Sequence, residues 1–137
     1  SSIMGYRSEV VLAIAPEAAS AFMALCAKEP KVLELCQQAD NFESGYEQKG
    51  DYFMYWSGIK WYDDDPEIGS INTFVEMLDS DNLTDYGEPD APRCPNGNGT
   101  TQWHEFFKFL RIGEDLDDQD SRGWGFADIC IQRSITF

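Results

Sequence analysis

The stretch "YRSEVVLAIAPEAASAFMALCAKEP", residues 6–30, decides the fold. From Tyr6 to Ile14 the chain alternates, with Tyr6, Ser8, Val10, Leu12 and Ile14 on one face. Its β-branched content suits a pleated strand. The period then changes. Pro16 and Glu17 suit the first turn of a helix, where a missing backbone N–H costs nothing. Phe22, Leu25, Val32 and Cys36 recur at helical spacing. Pro30 has no N–H for an internal bond, so it must kink this helix or divide it in two.

Outward from there, "FESGYEQKGDYFMYWSGIKWYDDD" (42–65) places a Lys49-Gly50 turn between aromatic-rich runs, which predicts a hairpin. Phe53, Tyr55 and Ile59 fall on one face of its second strand, and Tyr52, Met54 and Trp56 on the other. Both faces are apolar, so this strand belongs inside a sheet covered on both sides. The Asp63–Asp65 run ends it. A helix follows, with Asp65 as N-cap, Pro66 at the first position and a buried stripe of Ile68, Ile71, Val75 and Leu78, closing by Asp81-Asn82. Residues 82–101 hold several Gly and Pro clusters and predict a long irregular loop. "QWHEFFKFLRI" (102–112) and "GFADICIQRSI" (125–135) read as two further strands, joined as a hairpin by a long acidic connection.

The resulting order is strand, helix, strand, strand, helix, strand, strand. It predicts an α+β domain: a mainly antiparallel sheet with two helical segments on one face. The order is ferredoxin-like, the split β-α-β arrangement, with an extra C-terminal strand. No repeat or boundary divides residues 1–137, and Ser1 to Ile3 read as a cloning remnant ahead of a native start at Met4.

Composition narrows the function classes. A hydrophobic content of 42%, with 14% aromatic, supplies a core for one domain. No apolar run reaches the roughly 18 residues of a membrane span. The N-terminus lacks the order of a secretory signal. The four cysteines form no CxxC pair, and His104 is the sole histidine. That pattern predicts reduced thiols in a cytoplasm and no zinc site. Twenty-five acids against ten bases leave a net charge of −15. From Trp61 to Pro92 there are ten acids and no base, and five more acids fall within residues 114–120. Such a surface repels nucleic acid and anionic lipid and steers toward basic partners, solubility being the plainer reading.

The acidic connection has three readings: a metal loop, a mimic of a nucleic-acid backbone, or a solvated turn. As an EF-hand starting at Asp118, it has Asp120 at position 3 and Gly123 at position 6. Position 5 is Arg122 and position 12 is Ile129, so the bidentate ligand is missing. A looser Ca²⁺ or Mg²⁺ site of Asp115, Asp117 and Asp118 is the lesser alternative, serving a cation-dependent module or small hydrolase. No GxSxG elbow, P-loop or GxGxxG follows a predicted strand, so no catalytic residue and no cofactor is assigned. The candidate partner-binding residues are the carboxylates Asp63, Asp64, Asp65, Glu67, Asp79, Asp81, Asp85, Glu114, Asp115, Asp117, Asp118 and Asp120. Trp61, Tyr62 and Trp124 are candidate aromatic anchors, since Trp and Tyr dominate binding hot spots, although packing on the sheet would also use them.

Three separated stretches carry a resemblance. The opening "GYRSE" (Gly5 to Glu9), "KWY" (Lys60 to Tyr62) ahead of a short helix, and "RIGEDLDD" (Arg111 to Asp118) with a closing "RSI" (Arg133 to Ile135) resemble a group of small bacteriophage and prophage proteins. The 82–101 loop and the Asp63–Asp65 run depart from that pattern. The resemblance implies a phage origin and no particular activity. Together with the charge it suggests a non-enzymatic protein acting in the host cytoplasm. Its partner would be a host protein with a basic, nucleic-acid-binding surface, such as a CRISPR effector, another defence nuclease or a polymerase, which it would inhibit by mimicking nucleic acid. It would contact neither nucleic acid nor membrane directly. A virion-assembly role through self-association is a third reading.

Overall fold

The structure, a computed structural model, describes residues 6–80, 103–115, 117–131 and 135–136. The predicted 82–101 loop, with Asp81 and Asp85, lies outside them. The elements are β1 (Ser8–Ile14), α1 (Pro16–Lys28), α2 (Pro30–Gln37), β2 (Asn41–Ser44), β3 (Tyr52–Ile59), α3 (Pro66–Asp79), a 3₁₀ turn (Trp103–Glu105), β4 (Phe107–Ile112), β5 (Gln119–Arg122), β6 (Cys130–Ile131) and β7 (Ile135–Thr136). The fold is α+β. Five strands form an antiparallel sheet in the order β2-β3-β1-β4-β5, and β6 pairs with β7 in a small second sheet.

β1 lies at the centre, and Val10 to Ile14 are completely buried. Its alternation divides the core in two. Val10, Leu12 and Ile14 face the helices, packing in one cluster with Phe22, Leu25, Ile71 and Phe74. Val11 and Ala13 face the other way, toward Phe53, Leu110, Phe126, Ile129 and Ile135. The sheet is therefore covered on both sides, as the aromatic pattern of β3 predicts. Pro30 does divide the first helical stretch into α1 and α2. Among the described residues, no helix is long and apolar enough to cross a membrane.

Asp65 occupies the N-cap of α3 in an extended conformation, without a side-chain capping bond, and the helix ends at Asp79, ahead of Asp81-Asn82. One local expectation is corrected. Ile59 changes face. Ser8 pairs with Ile59 while Val10 pairs with Trp56, so one extra residue bulges on β3 and turns Ile59 toward the helix-side core. The β2–β3 connection includes the expected Lys49-Gly50 turn, where the Asp51 N–H donates to the Gln48 carbonyl at 3.2 Å and Gly50 sits at φ +92°. It is a loop wound around Asp51, whose buried carboxylate accepts the backbone N–H groups of Gly45, Tyr46, Glu47 and Gln48.

The C-terminal hairpin is the largest correction. Its second strand is β5, drawn from the segment expected to be a connection, with Ile112 opposite Gln119 and Phe109 opposite Arg122. An edge strand is half solvated, so "QDSR" can form one without the apolar pattern used to recognise strands. Gly123 then turns out of the sheet at φ +84°, where an added Cβ would lie 2.3 Å from the Phe107 carbonyl oxygen. Of the stretch expected as a strand at 125–135, the described residues lie outside the main sheet, and Phe126, Ile129 and Ile135 are buried against its second face. Their alternation reports one buried side, which a strap satisfies as well as a strand does.

Candidate functional site

Because β1 and β4 run antiparallel with Glu9 opposite Ile112, the chain entering β1 meets the turn leaving β4. That register brings "YRSE" against "RIGEDLDD". The Tyr6 hydroxyl donates to Asp118 Oδ2 at 2.5 Å and accepts the Asp115 N–H at 3.2 Å. The Arg7 N–H donates to Glu114 Oε2 at 2.9 Å. Both terminal nitrogens of the Arg111 guanidinium donate to Asp118, and Nη1 also reaches Ser8 Oγ at 3.1 Å. Gly113 closes the turn, donating its N–H to the Asp118 carbonyl at 2.7 Å. A Cβ at Gly113 would sit 2.1 Å from Asp118 Oδ2 and 2.2 Å from the Tyr6 hydroxyl, so only glycine fits this packing.

The electrostatics follow the bonds. Arg111 first, then the Tyr6 hydroxyl, hold the Asp118 carboxyl below the usual carboxylate range. The same Asp118 bonds push the Tyr6 phenol and the Arg111 guanidinium upward.

This network forms one side of a cleft of about 450 Å³ between α3 and the β4–β5 end of the sheet. The segment before α3 contributes Trp61, Tyr62 and Asp63, and α3 contributes Asn72 and Glu76. Phe109, Arg111, Asp118, Asp120 and Arg122 face them from β4, the turn and β5. Trp61 Nε1–H donates to Asn72 Oδ1 at 3.0 Å, and Asn72 Nδ2 donates to Asp63 Oδ1 at 3.0 Å. The Tyr62 hydroxyl donates to the Tyr6 carbonyl. Arg122 Nε donates to Asp120 Oδ1 at 3.0 Å, while its Nη1 lies 3.7 Å from Asp79 Oδ2. Among the described residues, four carboxylates thus line the cleft, and its two arginines are already paired with acids.

The structure brings some of the sequence candidates together and separates others. Asp63, Asp118 and Asp120 share the cleft, and Asp79 borders it through Arg122. Asp65 and Glu67 line a different hollow, beside Asp40 and Lys60. Asp64, Glu114, Asp115 and Asp117 are exposed, with Glu114 engaged by Arg7. Trp61 is not an exposed anchor. It is 9% exposed and packs tilted against Trp56 and Phe109 as a core wall. Tyr62 is half-buried at the cleft, whereas Trp124 is 72% exposed and lies edge-on to His104.

The looser cation site loses a member, because both Asp118 oxygens are engaged. Among the described residues, no three His, Cys, Asp or Glu side chains are placed to hold a metal ion. Burial pushes the Cys26 and Cys36 thiols up to about 11 and about 12, as expected of packing groups rather than nucleophiles.

Sequence reasoning passed over Tyr6, Asn72, Arg111 and Arg122 as site residues. The usable signal was that "YRSE" and "RIGEDLDD" stand out together, which is what two halves of one network would do. Comparison with protein-family models, curated proteins and solved structures finds no match to this chain.

Proposed function

We propose that the protein is a non-enzymatic binding protein that engages a basic surface of a protein partner through the acidic cleft and its rim. One observation carries this reading. Two acidic stretches far apart in sequence contribute Asp63, Glu76, Asp118 and Asp120 to a single cleft whose arginines are internally neutralised. Surfaces of this kind attract lysines and arginines and reject phosphates. The partner is then a nucleic-acid-handling protein, blocked when carboxylates occupy the bases that hold its phosphates. The phage resemblance points to a host target in the bacterial cytoplasm, a CRISPR effector or another defence nuclease being the kind that fits.

The test is capture of partners from host lysate on the immobilised chain at low and at high salt. Screening should strip an electrostatically held partner as the Debye length shrinks from about 10 Å at 0.1 M toward about 3 Å at 1 M. A captured nucleic-acid-binding protein that elutes with salt supports the proposal. Equal retention at both salts, or no captured partner, overturns it.

A further inference from the structure

Resting on that reading, we infer that the cleft is the receptor for one arginine side chain of the basic partner. The guest's chemistry follows from which groups the cleft leaves open. The Tyr6 and Tyr62 hydroxyls, the Trp61 indole and the Asn72 amide all donate to protein acceptors. Among the described residues, the Asp63 and Asp120 side chains each hold a single hydrogen bond, on Oδ1, and the Glu76 carboxylate holds none. What faces a guest is therefore acceptor oxygen and negative charge, so the guest must be a cationic donor. An anion would meet Asp63, Glu76, Asp118 and Asp120 in the cleft, where Arg111 and Arg122 are each already paired with an acid.

The walls choose between the two basic side chains. Trp61, Tyr62 and Phe109 line the cleft. A guanidinium is planar, weakly hydrated and stacks on aromatic faces, whereas an ammonium is a strongly hydrated point charge. The volume of about 450 Å³ falls in the range of small-ligand pockets and accommodates one side chain with its flanking backbone.

The experiment titrates the full chain with N-acetyl-arginine N-methylamide, and separately with its neutral citrulline counterpart, followed by ¹H–¹⁵N NMR. The Trp61 Nε1–H and Asn72 side-chain amide signals should move saturably with the arginine probe and stay still with citrulline. Glu76→Gln, at an exposed helix position, should weaken the arginine probe by about fivefold while leaving the rest of the spectrum in place. Equal shifts with citrulline, silence at Trp61 and Asn72, or unchanged affinity in the Glu76 variant overturns the inference. A polylysine titration in the same buffer separates the two readings. If polylysine binds and weakens with salt while the cleft signals ignore arginine, the arginine receptor falls and the acidic-surface function stands. If neither probe binds, both fall.

Discussion

Replacing Asp51 with asparagine measures what holds the β2–β3 hairpin. The Asp51 side chain is fully buried, and each of its oxygens receives two loop amides. Gly45 and Tyr46 reach Oδ1 at 2.7 and 2.8 Å, and Glu47 and Gln48 reach Oδ2 at 2.9 and 3.0 Å. Asparagine keeps the shape but has one acceptor oxygen. Whichever way its amide turns, two of the four backbone N–H groups then face an NH₂ donor. A buried amide left without an acceptor costs about 1–3 kcal/mol, so two would cost about 2–6 kcal/mol. The outer side of this loop is exposed, and water reaching the amides moves the expectation to about 2–3 kcal/mol. Urea denaturation followed by circular dichroism reads this as a lower midpoint at unchanged slope. A loss below about 0.5 kcal/mol, the size of an ordinary surface substitution, would refute the reasoning.

Two further outcomes follow from the same kind of contact. Gly113→Ala must push Asp118 and Tyr6 apart, because its Cβ would overlap both, and should cost at least about 1.5 kcal/mol through the charged hydrogen bonds it breaks; thermal melts matching the parent protein would sink the packing argument. The second concerns acid. Burial alone would raise the Asp51 carboxyl, but its four amide bonds together outweigh burial and leave it below the ordinary 3.8, and Arg111 and Tyr6 lower Asp118 in the same direction. Depressed carboxyls stabilise the fold above their unfolded value and lose that contribution as pH falls through the folded one. Melting temperature should therefore hold steady down to about pH 4, then fall steeply, and less steeply in Asp51→Asn. A flat acid limb in the parent protein is the contrary result.

What the sequence showed plainly were features written in a strong local period. The β1 alternation, the Pro30 break, the Pro66 start of α3 and its Ile68, Ile71, Val75 and Leu78 stripe all appear where periodicity and proline chemistry place them. Features fixed by pairing with distant chain were not legible. β5 carries no apolar pattern because it is an edge. The strap at 125–131 has a strand's alternation but only one side to bury. The bulge that turns Ile59 exists only in the register between β1 and β3. The cleft has the same character. Its acids were visible as a surplus, but their arginine partners could be matched only once β4 and β5 were paired.

A net charge of −15 is therefore two quantities that a composition merges. One is the far field, to which every carboxylate contributes, buried or bonded; Asp51 keeps its charge while its oxygens serve the loop. This field sets how fast a basic partner arrives and how sharply salt slows it. The other is the supply of acceptor oxygens still open to that partner, and it is much smaller. Asp118 is held by Arg111 and Tyr6, Asp120 by Arg122, Glu9 by Tyr55, Asp40 by Ser57 and Glu114 by Arg7. Removing one of those acids removes a piece of the fold along with its charge. Removing Asp64, which is exposed, weakens only the field. Among the described residues, contact chemistry at the cleft is left to Glu76 and the second oxygens of Asp63 and Asp120, so affinity and salt dependence should respond to different residues of the same acidic surface.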